Sequence, residues 1–421
     1  MVTTISVLPG VILRCYPDQR FHQGFLSIQF LRYMNREEAA MNALLPAVLL
    51  RGCRETPDMR AVIQRLDDLY GAGVNALVRR VGDYQTVGLY GSFIEDRFAL
   101  PGDRVLEPML DFLGQLLLEP VTEEGVFCRE FVESEKRNLI ATLQTERNDK
   151  RAYAAAQMLR KMCAADTFGI PRLGEEEQVA AITAQGLWEH YDRVLRESPV
   201  EVFYVGSADA ETVAQKVAQM FAHLHRDVKR LPAQLPFQDG GGGAYTETMA
   251  INQGKLSMGF VTPITNRTPE FAAMQVLNTL FGAGMTSKLF MNVREKMSLC
   301  YHIGSGYYGS KGIVTVSAGI DCDKETVVRE EILNQLQQCK LGNITAEELG
   351  AAKEAVLSAL RGAYDSPINI EGVLSVRAIS GIEMTLEQYY DAVERVTLED
   401  VTAAAATLHL HTSYFLKGVE M

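Results

Sequence analysis

Few side chains in this sequence are spaced for chemistry. The pairs His223/His225 and His409/His411 have the look of metal ligands, but neither has further Cys or His nearby to complete a shell. The string "GSGYYG" at 304–309 fits G-x-G-x-x-G, yet a β-rich run, "GIVTVSAGI", follows where a phosphate loop needs a helix. It reads as a hairpin, and "DCDKE" at 321–325 reads as a solvated strand end. Neither a P-loop nor a G-x-S-x-G elbow occurs. What remains is Glu133 and Glu135 in "ESEK", and Arg294 and Tyr301 in "REKMSLCY". The two carboxylates read as a solvated helix face or as remnants of a metal site. A guanidinium and a phenol can donate hydrogen bonds to a peptide carbonyl and to the oxyanion that forms from it. Equally, Arg294 could pair with a nearby acid and Tyr301 could be a half-buried strand residue.

A helix near the start raises a second question. In "MNALLPAVLLRGC", 41–53, apolar residues fill the run to Leu50 and Gly52 stops it. Upstream, Asn35 with Glu37 and Glu38 has N-cap spacing. Pro46 sits in the middle, where it removes a donor and crowds the carbonyl of Asn42. Ala43 and Ala47 flank it, and in any helix they could simply be core packing.

The chain's 421 residues exceed one comfortable core, so two or more domains are expected. A net charge of −12 argues against a nucleic-acid surface, which needs clustered Lys and Arg. No run of about 18 apolar residues occurs, so no membrane span or membrane partner is expected. The start shows no charged region followed by an apolar one, so no secretory signal is evident. Seven scattered cysteines without C-x-x-C read as reduced thiols, and together these features point to the cytoplasm.

The segment 231–245, with two prolines and then Gly240 to Gly243, reads as a flexible linker between parts spanning 1–230 and 246–421. The two parts look alike. "LDFLGQLLLEPVTEEGVFCREFVESEKRNLIATL" reads as two helices about Val121-Thr122, and "REEILNQLQQCKLGNITAEELGAAKEAVLSAL" repeats them about Ile344-Thr345. Upstream of each pair come helix, glycine turn, short helix and strand. The strands "YQTVGLYGSFI" and "GIVTVSAGID" follow. Strands at the start and end of each part complete a sheet, the last of them "SYFLKGVEM". The expected class is α+β, a tandem repeat of two homologous domains, each an antiparallel sheet with helices on one face.

The order and content of these pieces resemble the insulinase and mitochondrial processing peptidase family, pitrilysin-like zinc peptidases with an inverted H-x-x-E-H motif. The resemblance runs through nearly the whole chain. It rests on "LRGCRETPDMRAVIQRLDDLYGAGVNA", on "LGEEEQVAAITAQGLWEHYDRVL" followed by "VEVFYVGSAD", and on "LFGAGMTSKLFMNVREKMSLCYHIGSGY". Active members carry H-F-L-E-H-x-x-x-x-G-T on the first helix, where both His bind zinc and the Glu serves the bound water as base. Counting back from Gly52 places these roles on Ala43, Pro46 and Ala47, none of which can ligate a metal or move a proton.

The family's third ligand, a Glu in E-x-E-[KR], falls on Glu133, and one carboxylate alone does not hold zinc. The resemblance therefore implies no catalytic residues, no metal and no cofactor. It also implies a substrate-binding pair, since the family motif R-E-K-x-x-x-x-Y falls on Arg294 and Tyr301, with Ser298 where a Gly is usual. In the bacterial branch, a chain bearing H-x-x-E-H joins one bearing the Arg/Tyr pair around a closed chamber. This chain resembles the second kind: a catalytically inactive, peptide-binding subunit orienting substrate for a homologous zinc-bearing partner. In isolation it could pair with itself. A purely structural subunit is the alternative, and a self-sufficient hydrolase with an unrecognised site is a weaker one.

Overall fold

The computed structural model describes residues 2–418, so Val419–Met421, the end of the expected last strand, lie outside the described residues. In chain order, β1 (Thr3–Leu8), β2 (Val11–Pro17) and β3 (Gln23–Tyr33) precede α1 (Ala39–Leu49), α2 (Met59–Asp68), β4 (Gly73–Val81) and β5 (Tyr84–Ile94). Next come α3 (Leu106–Leu118), the small hairpin β6 (Thr122–Glu123) and β7 (Val126–Phe127), α4 (Arg129–Asn148) and α5 (Lys150–Met162). The first half closes with α6 (Glu176–Ala181), α7 (Ala184–Glu197), β8 (Val200–Gly206) and α8 (Ala210–Phe221).

The second half runs β9 (Gly243–Met249), β10 (Gly254–Val261), α9 (Phe271–Asn278), β11 (His302–Tyr308) and β12 (Ile313–Ile320). It ends with α10 (Glu325–Lys340), α11 (Ala346–Gly362), α12 (Pro367–Ser380), α13 (Leu386–Arg395), α14 (Leu398–Ala406) and β13 (His409–Gly418).

Two compact units emerge, and neither is a continuous stretch of chain. The first holds the chain to Gln144, Ile170–Ala233 and Ala363–Ala378. Its sheet has the order β1-β2-β8-β3-β5-β4, antiparallel except for the parallel pair β2/β8. The period-2 alternation of β3 divides its side chains between two buried faces. Leu26, Ile28 and Phe30 join the main core with α1, α3, α7 and α8. Phe25, Ser27 and Gln29 meet α12 instead: Phe25 packs with Ile370 and Leu374, while Ser27 Oγ and Gln29 Nε2 each donate to Glu371 at 2.7 Å. Arg79 on β4 completes the cradle of this fully buried carboxylate at 2.8 Å.

The second unit holds Thr145–Gly169, Gln234–Gly362 and the described chain from Ile379. Its sheet has the order β11-β12-β10-β13-β9, with β13/β9 parallel. Leu256, Met258, Phe260, Val314 and Val316 enter its main core with α9, α10, α11 and α14. Ile313, Tyr414 and Leu416 pack on Ala154, Met158 and Met162 of α5. Each unit is thus an α+β sheet with its helical layer on one face, and one further helix covers the other face.

Two expectations are corrected. The helix expected from Thr122 begins only at Arg129, because Glu124 (φ 53) and Gly125 (φ 83) make a hairpin turn that no helix accommodates; its counterpart α11 does start directly after Thr345. The segment expected to be a flexible linker is tied down. β9 begins at Gly243, Phe237 N donates to Lys311 O (3.1 Å), and Gln238 N donates to Asp166 Oδ2 (2.8 Å). Asp166 and Lys311 form a buried ion pair at 2.9 Å with both side chains 1% exposed. A Cβ on Gly242 would lie 2.1 Å from the carbonyl oxygen of His411, so this glycine allows a close backbone approach.

Candidate functional site

On α1 the positions that the resemblance assigns to zinc and its base, Ala43, Pro46 and Ala47, lie among packed side chains. The helix starts at Ala39, and Asn35 serves the turn before it, accepting from Glu37 N at 2.9 Å. Pro46 lies inside the helix, against an apolar gap lined by Phe30, Leu45, Val87, Leu117 and Val194. Ala43 is buried and Ala47 partly so. One turn before Pro46, Asn42 anchors a buried polar chain: its Nδ2 donates to Gln85 Oε1 (2.9 Å) and its Oδ1 meets His190 Nε2 (2.7 Å). Gln85 Nε2 donates onward to the carbonyls of Ala39 and Arg172. Burial pushes the His190 imidazole down to about 4, with Arg32 and Arg193 adding to the effect against Glu38. It is therefore neutral, donating from Nε2 while Nδ1 receives Arg193 at 3.3 Å.

Glu133 and Glu135 on α4 are both engaged. Glu133 pairs with Lys136 at 3.0 Å, and that ammonium also donates to the carbonyl of Ile182 at 2.8 Å. Glu135 pairs with Arg51 at 3.2 Å. Among the described residues no group of three His, Cys, Asp or Glu is arranged to hold a metal. His223 and His225 are exposed, and His411 is hydrogen-bonded to Asp239 at 2.9 Å. All seven cysteines are free thiols, buried except for Cys322. The string 304–309 lies in the β11/β12 hairpin.

The region of Arg294 and Tyr301 is built otherwise. α9 continues into a π-helical turn, Thr279–Ala283, and Arg294 lies in a second π-helical segment, Leu289–Lys296. Such turns are rare and concentrate at functional sites. Leu299 N bonds back to Val293 O (3.0 Å) and Ser298 N to Arg294 O (3.1 Å), with Ser298 at φ 50. The left-handed turn that a Gly would make freely is kept by a serine at a cost in strain. Arg294 lies over the Phe290 ring at 4.7 Å and keeps a loose pairing with Glu295 at 3.6 Å, its side chain 41% exposed. Tyr301 is 61% exposed, and its hydroxyl donates to Asp321 at 2.9 Å, which raises the phenol's pKa.

Next in the chain, His302 is held neutral, down to about 4, by burial and then by the charges of Arg151, Lys255 and Arg294. The same charge of Arg294 is thus felt at His302. Sequence reasoning had no signal for Lys255 or Arg151, which the fold alone brings to this histidine.

Comparison with known proteins finds relatives of this chain along nearly its whole length. The family model described as the peptidase M16 inactive domain matches residues 181–356, a span that includes Arg294 and Tyr301. Along 98% of the chain and 96% of the relative, it is 28% identical to the probable inactive metalloprotease YmfF of Bacillus subtilis. The chain is similar to M16 peptidases along nearly its whole length. A crystal structure of a conserved protein from Enterococcus faecalis superimposes with a TM-score of 0.93 at 26% identity, covering 99% of both chains. A peptidase M16 inactive domain from Pseudomonas fluorescens shares the fold at 16% identity, with a TM-score of 0.82 over 100% of this chain and 98% of that one. Both the matched family model and the Bacillus subtilis relative are described as inactive, in keeping with Ala43, Pro46 and Ala47 at the positions that the resemblance assigns to the metal ligands and base. No helix among the described residues is long and apolar enough to cross a membrane.

Proposed function

We propose that this M16 homologue binds peptides and orients them for a homologous subunit that carries the zinc site. The observation that carries the reading is the contrast in exposure. Arg294 keeps free donor capacity at the surface, on a segment held by rare backbone geometry, and the exposed Tyr301 hydroxyl is held by one surface carboxylate, Asp321. A guanidinium offers five donors in a fixed fork, and only one loose carboxylate partner meets Arg294 here. A peptide carbonyl on a bound substrate would take the remaining donors. The phenol of Tyr301 would turn from Asp321 to the same strand of peptide, or bridge the two. The extended substrate would add to an exposed sheet edge through main-chain hydrogen bonds, which tolerate many sequences.

Co-expression with an H-x-x-E-H-bearing M16 chain tests this, with cleavage of a fluorogenic peptide and co-purification as paired readouts. Arg294→Ala should cut cleavage at least tenfold while the two chains still co-purify. Equal loss of both readouts would make Arg294 an assembly residue and end the proposal. A purely structural subunit would show neither loss.

A further inference from the structure

Beside Arg294 and Tyr301 the second unit has an open groove of about 560 Å³. That is within the range of about 300–1,000 Å³ typical of ligand sites. The start of α5 forms one wall with Asp149 and Arg151, the turn into β10 another with Asn252, Gln253 and Lys255, and His302 closes it. In a chain of net charge −12 this groove runs against the trend, since Lys150, Arg151 and Lys255 face the single carboxylate of Asp149. That carboxylate is already engaged as the α5 cap, accepting from the backbone N–H of Arg151 (2.9 Å) and Ala152 (3.1 Å).

Two polar groups here are left in an unfavourable state. His302 Nε2 is buried without a hydrogen-bond partner. Buried polar atoms without partners are uncommon and call for a missing one. Lys255, half-buried, is bonded only to the neutral amide of Gln253, and desolvation lowers its pKa. An anion in the groove would relieve Lys255, and its oxygens could accept from a His302 Nε2–H. Because Asp149 occupies the first N–H groups of α5, the helix end does not offer the backbone cradle that suits a phosphate. What is offered is side-chain cations with amides beside them, and amides pair with peptide groups.

The geometry points to this groove as the receptor for the C-terminal carboxylate of a peptide whose preceding residues lie against Arg294 and Tyr301. The inference rests on the peptide-binding reading above and narrows the substrates to peptides with a free C-terminus.

The test uses the full chain and two fluorescein-labelled nonapeptides of one sequence without Asp or Glu, one ending in a carboxylate and the other in a carboxamide. Fluorescence anisotropy should show the acid binding at least tenfold more tightly. Lys255→Gln and Arg151→Gln should each bring the acid to the affinity of the amide and leave the amide unchanged. Arg151 is exposed, so its variant tests the groove even if Lys255→Gln fails to fold. Equal binding of the two peptides, or variants that weaken both alike, overturns the inference. If both bind equally and Arg294→Ala weakens both, peptide binding stands and only the carboxylate receptor falls. If neither peptide binds, both readings fall.

Discussion

Around Pro46 the buried polar side chains Asn42, Gln85 and His190 hand hydrogen bonds along one chain and end on backbone carbonyls. Around Arg294 the opposite holds: a serine sits at φ 50, two helical stretches are π-wound, a guanidinium is half exposed and His302 Nε2 has no partner. By the resemblance drawn from the sequence, both places correspond to working parts of the peptidase fold. The first has been repacked into ordinary core, and the second still carries strain and unmet donors. Strained backbone and unpaired donors persist where the surroundings impose them, and they cluster at functional sites. The difference is what a lost zinc site beside a retained binding surface, the reading proposed above, would leave.

The most severe way to challenge that contrast is to put a charge back where the base would be. Pro46→Glu restores a helix-compatible backbone but places a carboxylate among Phe30, Val87, Leu117 and Val194 with no metal or cation at hand. The variant should lose more than about 3 kcal/mol in denaturant unfolding, since an unpaired buried charge costs several. If it unfolds like the parent, the pocket has kept room for the base and the repacking argument is wrong.

His190 gives the next largest effect. Its folded pKa of about 4 lies below the ordinary histidine value of 6.5, so the unfolded chain takes up a proton that the folded chain refuses. Stability should be level above pH 6.5, fall as the pH drops toward 4, and level again below, a loss of about 3 kcal/mol from this group. His190→Gln should reduce the slope, leaving the share that His302 contributes over the same range. An unchanged slope in the variant would place the pH sensitivity elsewhere.

How much of this could be read in advance depended on whether the signal was local. Pro46, Ala43 and Ala47 stand at a fixed offset from Gly52 on one helix, so their loss was legible, as were Arg294 and Tyr301 in one short motif. The strand β5 appears letter for letter as an alternating run. Four things were hidden because they are set by pairing over long distances or by local φ. These are the parallel contacts β2/β8 and β13/β9, the α5 and α12 layers on the second sheet faces, the β6/β7 hairpin, and the glycines spent on close approach near His411. Charges such as Lys255 and Arg151 carry no pattern until the fold sets them beside His302.

A gentler probe acts on the strained turn itself. Ser298→Gly should stabilise the chain by about 1 kcal/mol, because glycine adopts a positive φ without the Cβ clash. A melting temperature raised by about 2–4 °C would match that figure for a domain of this size. No gain would mean that the serine is not strained there, and the contrast with the relaxed α1 region would weaken.

The smallest change in stability should come with a clear change in function. Tyr301 is 61% exposed, and its hydroxyl donates to Asp321, which is itself paired with Lys324 at 2.7 Å. Removing that hydroxyl leaves Asp321 with its lysine and with water, so Tyr301→Phe should shift stability by less than about 0.5 kcal/mol. A phenol that contributes so little to the fold has no structural reason to be kept just before β11. If it donates to a bound peptide, Tyr301→Phe should weaken peptide binding several-fold at unchanged melting temperature. Unchanged binding would leave Arg294 alone on that surface and would favour a purely structural subunit, because a binding site that loses a donor without consequence was not using it.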